Sequence, residues 1–113
     1  MDEIQWYILD KKKNVIPTDR ETGATFFEDF ENRRVAYTEG EEYRVSTVFL
    51  GFNHSYDDNA CIVFETMVFP SMKNKPFCFD EIEMIRCSTY QEALDTHSQM
   101  YDKYITPHPK KDD

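Results

Sequence analysis

The sequence predicts an α+β domain with a mostly antiparallel sheet and helices packed on it, in the order β-β-α-β-β-β-α. The main observation is a pair of segments, 43–52 and 61–69, that are rich in β-branched and aromatic residues and flank a polar loop. A second is the segment 88–106, which opens with two overlapping capping-box patterns, S-x-x-Q and T-x-x-E. Since 113 residues is the length of one domain, we expect a single α+β domain over residues 1–106 and a charged flexible tail over 107–113.

The first part of the chain predicts a β-hairpin followed by a helix. Residues 4–10 are branched and aromatic, and residues 15–19 form a second segment in which Pro17 lacks a backbone donor, so we expect it at a sheet edge. Thr18 or Asp19 can cap the helix that follows. Three phenylalanines recur in it at helical spacing and two arginines are expected in its last turn: Phe26, Phe27, Phe30, Arg33 and Arg34.

The second part of the chain predicts three strands and a final helix. The two strands that flank the polar loop do not alternate polar and apolar residues. We therefore expect them at the centre of a sheet that is covered on both sides, or covered on its second side by another subunit of a homodimer. A further strand is expected within 77–87. The final helix carries an apolar stripe that includes His97 and ends before Pro107.

The charge balance is acidic, with 22 Asp and Glu against 13 Lys and Arg, a net charge of −9 and a pI of about 4.7. Such a surface repels phosphate backbones, so we expect no direct nucleic-acid binding, and it suits docking on a basic partner protein. No apolar run is long enough to span a bilayer and no secretory signal follows Met1, so we expect no membrane contact and a reducing cytosol. The three cysteines fit no disulfide framework and no zinc motif, and are expected to be free.

The loop between the two central strands carries the residue types of a reactive or recognition site. His54, Asp57 and Asp58 are competent metal ligands, with Glu65 on the next strand, but Asn, Asp and Ser also build simple turns. The spacing matches no metal motif, and no activated nucleophile or phosphate loop is marked, so we expect no cofactor and no catalysis. We interpret the loop as a turn or a recognition tip, whose candidates for contact with a partner are Tyr56, Asp57 and Asp58.

Polar residues inside the two central strands predict a second candidate site. Glu65 and Thr66 interrupt one strand, as Ser46 and Thr47 interrupt the other. They predict either the floor of a ligand pocket or a cross-strand ladder of threonines and charge pairs. A buried glutamate there would need a cation from a neighbouring strand, and Arg44 and Arg86 are the natural choices. The candidate ligand-binding residues are Arg44, His54, Glu65, Thr66 and His97.

Four blocks of the sequence resemble a family of small uncharacterised proteins encoded by bacteriophages and prophages. The blocks are WYILDKKKNVIPTD, RVSTVFLGFNH, FETMVF and CSTYQEALDTHSQM, and they cover most of residues 6–100. His54, Glu65, Thr66 and His97 occupy motif positions, but the family implies a genomic setting and no activity. The Asp- and Asn-rich loop departs from the family, whose members tend to have Gly and Pro there. The resemblance implies a phage protein that works in the host cytoplasm.

The resemblance and the acidity together predict a non-enzymatic accessory phage protein. It would bind and inhibit one host component that has a basic surface, as a counter-defence protein does, through its own acidic surface. One alternative is a protein that sequesters a small molecule or a nucleotide signal in a pocket formed by Arg44, Glu65 and Thr66. Another is a metal-assisted hydrolase, whose ligands would be His54, Asp57, Asp58 and Glu65.

Overall fold

The computed structural model describes residues 4–53, 61–73, 76 and 78–105, and the expected tail at 107–113 lies outside them. The predicted α+β class and mostly antiparallel sheet are confirmed. In chain order the elements are β1 Trp6–Leu9, β2 Val15–Thr18, α1 Arg20–Glu28, α2 Phe30–Arg33, β3 Arg34–Glu39, β4 Tyr43–Phe49, β5 Phe64–Pro70, β6 Glu83–Cys87 and α3 Tyr90–Tyr104. None of the described helices is both long enough and apolar enough to cross a membrane.

The strands form two separate antiparallel sheets. β1 and β2 make the expected N-terminal hairpin, and the other strands form a four-stranded meander in the order β3-β4-β5-β6. The strongest strand patterns in the sequence, now β4 and β5, lie at its centre and pair along their whole length, from Tyr43 opposite Pro70 to Phe49 opposite Phe64. The strand predicted within 77–87 is shorter, since β6 begins only at Glu83.

The prediction that the first helix runs through Arg34 is wrong. The backbone at Asp29 is extended (φ −88°, ψ 105°), which ends α1, and the Asp29 side chain accepts a hydrogen bond from the backbone N–H of Glu31 to begin the single turn of α2. Arg34 then opens β3, which pairs with β4 across a bulge between Arg34 and Ala36. The aspartate cap overrides the helical spacing of the phenylalanines, and the β-formers Val35 and Tyr37 continue as a strand.

The core lies between α3 and one face of the four-stranded sheet. Near the C-terminal end of α3, Met100 packs with Val45 and Val68. Near its N-terminal end, Ala93 packs with Phe49, Phe64 and residues of the N-terminal hairpin, Leu9 among them. The capping box predicted at Thr89 is present, because the Thr89 hydroxyl accepts from the backbone N–H of Glu92 while the Glu92 carboxylate accepts from the backbone N–H of Thr89.

The N-terminal hairpin contacts α1 closely through Trp6 and Gly23. Gly23 is buried in the middle of α1, and a Cβ added there would lie 2.6 Å from the Cβ of Trp6. Trp6 also meets Phe27 and Phe52 edge to face. A glycine inside a helix costs conformational entropy, so the close approach of the tryptophan explains its use here.

We expect Gly23→Ala to lower the free energy of unfolding by about 1–3 kcal/mol. The new methyl group would clash with the Cβ of Trp6, which cannot move without its backbone, and this cost outweighs the gain in helix propensity. Urea denaturation followed by circular dichroism measures this. Thr25→Ala, at an exposed position of the same helix, is the matched control and should leave the stability equal or slightly higher. A Gly23→Ala variant as stable as the Thr25→Ala variant would contradict the packing argument.

Candidate functional site on the open face of the sheet

The four-stranded sheet separates the predicted site residues onto two faces. Residues directly opposite each other on paired strands point to the same face, and successive residues along a strand point to opposite faces. Thr66 lies opposite Thr47 on the face that α3 covers, and His97 reaches this face from α3. Arg44 and Glu65 lie on the other face. The four described ligand-binding candidates therefore do not line one pocket. The fifth, His54, lies outside the described residues, together with Tyr56, Asp57 and Asp58.

Under α3 the polar residues form a continuous chain of hydrogen bonds. The two ring nitrogens of His97 bond Thr38 on β3 (Nε2 to Oγ1, 3.0 Å) and Thr47 on β4 (Nδ1 to Oγ1, 2.7 Å). The hydroxyl of Thr47 also bonds that of Thr66 on β5 at 2.8 Å. Thr47 and Thr66 are fully buried and His97 is 8% exposed. The chain joins α3 to three strands and satisfies both ring nitrogens, which is the arrangement of a structural core histidine.

Burial lowers the pKa of His97 from its ordinary value of 6.5. No carboxylate contacts the ring among its described hydrogen-bond partners, so nothing there stabilises the charged imidazolium. The neutral ring needs one donor and one acceptor partner, and two threonine hydroxyls supply either role. Protonation would place a charge in the core and leave the ring with a second N–H that must find an acceptor.

Among the described helices, α3 is the one that packs extensively on the four strands. We call the opposite face of the sheet, which no described helix covers as α3 covers its own face, the open face. The cross-strand register arranges the open face in three rows. The first row is Arg34, Val48, Glu65 and Arg86, the second is Tyr37, Ser46, Met67 and Met84, and the third is Glu39, Arg44 and Phe69. An uncharged row therefore lies between two rows that carry charges of both signs.

The charged residues of the open face are engaged with one another or with aromatic rings. Arg86 bonds Glu65 through its Nε, 2.9 Å from the carboxylate oxygen, as a charge-pair ladder predicts. Arg44, only 6% exposed, donates to the backbone carbonyl of Pro70 and lies between the rings of Phe69 and Phe79, with its guanidinium carbon 4.6 and 5.3 Å from their centroids. These contacts hold the arginines against the sheet and reduce their freedom to reach a distant ligand.

The rim of the open face exposes large apolar side chains. Met84 is 38% exposed and Tyr37 41%, while Phe30 and Phe79 are also exposed beside the face. Arg34 stacks between Phe30 and Tyr37, its guanidinium carbon 5.0 and 5.4 Å from their ring centroids. Aromatic residues, methionine and arginine are enriched in protein–protein interfaces, and lysine and aspartate are depleted. The open face shares the enrichment in aromatic residues, methionine and arginine, but it also carries Glu39, Glu65 and Ser46.

A second surface, which we call the acidic end, lies where β3 and β5 end, β4 and β6 begin and α3 finishes. Within the described chain it gathers seven carboxylates against three cations: Glu39, Glu41, Glu42, Asp80, Glu81, Glu83 and Asp102 against Arg44, Lys73 and Lys103. The C-terminus of α3 carries the negative end of the helix dipole and adds to the negative potential of this surface. A groove of about 510 Å³ runs along it, lined by residues that include Glu42, Lys73 and Tyr104.

Hydrogen bonds fix the carboxylates at the base of the acidic end. Glu39 accepts from the Tyr37 hydroxyl at 2.5 Å, from the Ser71 hydroxyl, and from the backbone N–H of Met72 at 2.7 Å. Glu83 accepts from Lys103 at 2.8 Å and from the Tyr104 hydroxyl at 2.5 Å, and these bonds lower its pKa. Both carboxylates therefore stay charged at neutral pH and contribute to the negative field of this end.

The described residues contain no group of three or more His, Cys, Asp or Glu side chains placed to hold a metal ion. Comparison with protein-family models, with curated proteins and with solved structures finds no match to this chain.

The sequence does not mark Arg34, Tyr37 or Met84, among other residues, as part of the open face. The first two lie in a strand at 34–39 that the helical spacing of the phenylalanines conceals. The pattern V-A-Y-T at 35–38 was the available signal, since three of its four residues favour strands. Met84 was placed on the predicted strand at 77–87, but its exposure depends on which face α3 covers.

We expect the free energy of unfolding to fall as the pH decreases from about 7 to 5. Because the pKa of His97 is lower in the folded chain, the unfolded chain binds the proton first, and stability is lost below the ordinary histidine value with a slope of at most about 1.4 kcal/mol per pH unit. Urea denaturation at several pH values measures the slope. His97→Gln, which cannot titrate, should show a flatter profile in this window, although it is less stable at every pH.

Two glutamates of the acidic end depend on pH in a different range. The pKa values of Glu39 and Glu83 are lowered in the folded chain, so their contribution is lost only as the pH falls below the ordinary glutamate value. A His97→Gln variant with an undiminished slope would show that its ring is not the titrating group.

Proposed function

We propose that the protein is a non-enzymatic accessory phage protein that binds a basic surface of a host protein with its acidic end and inhibits that protein by occlusion. The observation that supports this most directly is the concentration of carboxylates at one end of the sheet, where β-turn, loop and helix terminus contribute the same sign of charge. The resemblance to small phage-encoded proteins supplies the host setting.

The field of the acidic end favours a basic protein over other partners. Carboxylates fixed by hydrogen bonds, such as Glu39 and Glu83, keep their charge in place without further ordering on binding. Exposed carboxylates such as Glu41, Glu42 and Glu81 surround them. A surface of this sign attracts a lysine- or arginine-rich groove and repels phosphate backbones, so a protein built to hold nucleic acid is a suitable target. Docking of the acidic end on the partner's basic groove would prevent nucleic acid from binding in that groove.

The groove along the acidic end gives the interaction a shape as well as a charge. Its lining combines acidic residues with the half-buried side chains of Tyr104 and Ile105. A lysine or arginine side chain of the partner would place its aliphatic stem on the apolar residues and its charged group among the carboxylates. Charge would then govern the rate of encounter, and the groove would govern the fit.

The test is capture of host proteins from a bacterial lysate at about 50 mM and about 300 mM salt, since raising the ionic strength shortens the screening length. We expect a partner that is retained at low salt and lost at high salt. The double variant Glu42→Gln/Glu81→Gln should bind that partner at least about 10-fold more weakly, because two charges leave the acidic end.

The matched control is Glu28→Gln/Asp95→Asn, which removes the same charge from exposed positions on α1 and α3. It should bind like the wild type. Inhibition is then measured as loss of the captured partner's nucleic-acid binding when the purified protein is added. Equal weakening by both double variants, or no partner retained at low salt, would overturn the proposal.

A further inference from the structure

The open face carries apolar side chains that the described chain leaves without a covering layer. Val48, Met67 and Phe69 are half-buried by their neighbours alone, and Met84 and Tyr37 are exposed. β4 and β5 thus place apolar residues on both faces, although Arg44, Ser46 and Glu65 also lie on the open face. Apolar residues on both faces are typical of strands covered on two sides. α3 supplies one covering layer. On the other side, the described chain contacts the third row through Phe79, which lies near Arg44, and through Ser71 and Met72, which bond Glu39.

The charge of the open face differs from that of the molecule. The chain carries a net charge of −9, whereas the rows of the open face hold three arginines and two glutamates: Arg34, Arg44, Arg86, Glu39 and Glu65. A basic partner would find the complementary sign at the acidic end and not here. A second acidic molecule can approach this face without local repulsion.

We propose that the open face is where a second copy of this chain binds, so that the protein forms a two-fold symmetric dimer with the two sheets face to face. A closed two-fold contact between two copies requires a surface that is complementary to itself, and the rows of the open face meet this requirement. The uncharged row of Tyr37, Ser46, Met67 and Met84 supplies the symmetric centre.

The charges on either side of the uncharged row are arranged for such a contact. β3 begins at Arg34 and ends at Glu39 on the same face. When two copies stack with the two-fold axis along the uncharged row, the first row of each lies over the third row of the other. Arg34 of one copy then lies over Glu39 of the other, and this pairing occurs twice.

The size of the face predicts a weak, reversible dimer. Four strands about 4.8 Å apart and about six residues long, at about 3.3 Å per residue, make a face of roughly 400 Å². Stable interfaces bury about 800 Å² on each partner, so this contact has about half that area and falls below the range of stable complexes, where association is weak and transient. We expect a dissociation constant of about 10–100 µM, which is the regime in which dimer and monomer coexist.

Sedimentation equilibrium of the purified full chain, from about 5 to 500 µM, tests the dimer. Met84→Lys should raise the dimer dissociation constant at least about 10-fold, because it places an unpaired charge in the contact. Met84→Glu should do the same, since the loss comes from desolvation and not from the sign of the charge. Leu94→Lys is the matched control: Leu94 is 37% exposed against 38% for Met84, but lies on α3, on the far side of the molecule.

Circular dichroism and thermal unfolding of each variant as a monomer separate loss of association from loss of folding. A wild-type chain that stays monomeric to 500 µM overturns the dimer, as does a dimer that Leu94→Lys weakens as much as Met84→Lys. Salt distinguishes this surface from the acidic end. Between about 50 and 300 mM salt the dissociation constant of the dimer should change little, since screening reduces both the repulsion of two acidic molecules and the attraction of the Arg34–Glu39 pairs. Docking of the acidic end on a basic host protein should weaken over the same range.

Discussion

The hydrogen-bonded chain from Thr38 through His97 and Thr47 to Thr66 fixes how the helix and the sheet sit together. A buried polar group without a partner costs more than a hydrogen bond contributes, so α3 has few positions on the sheet that keep all four side chains satisfied. The apolar contacts around these hydrogen bonds, such as those of Met100, tolerate small shifts of α3 on the sheet far better. The polar chain therefore supplies the specificity of the packing, and the apolar contacts supply most of its free energy.

That constraint also decides which surfaces remain for partners. With α3 held against one face, side chains that alternate along β4 and β5 are divided strictly between a buried face and an open one. Antiparallel connections bring the turn after β3, the loop before β6 and the end of α3 to the same edge of the molecule. A near-neutral sheet face and an acidic end thus follow from one topology, and the two surfaces differ in chemistry.

The sequence allowed the fold class, the central hairpin and the capping box of α3 to be predicted, because each depends on local patterns. It also predicted an arginine partner for Glu65 on a neighbouring strand, but left the choice between Arg44 and Arg86 open, and the structure shows Arg86. The sequence did not allow β3 to be predicted, since the aspartate cap at Asp29 and the helical spacing of the phenylalanines favour opposite outcomes. The division of Thr66 and Glu65 between faces also needed the structure. Alternation places them on opposite sides, but only the position of α3 shows which side is covered.

The bulge between Arg34 and Ala36 has a consequence for the behaviour of the protein at high concentration. β3 is an outer strand of the sheet, and a regular outer strand offers a row of amide groups on which further strands can add without limit. A bulge disturbs the spacing of those groups and increases the local twist, so side-by-side growth into fibres is disfavoured. The irregularity, which sequence patterns fail to show, thereby disfavours the addition of strands at this edge of the sheet.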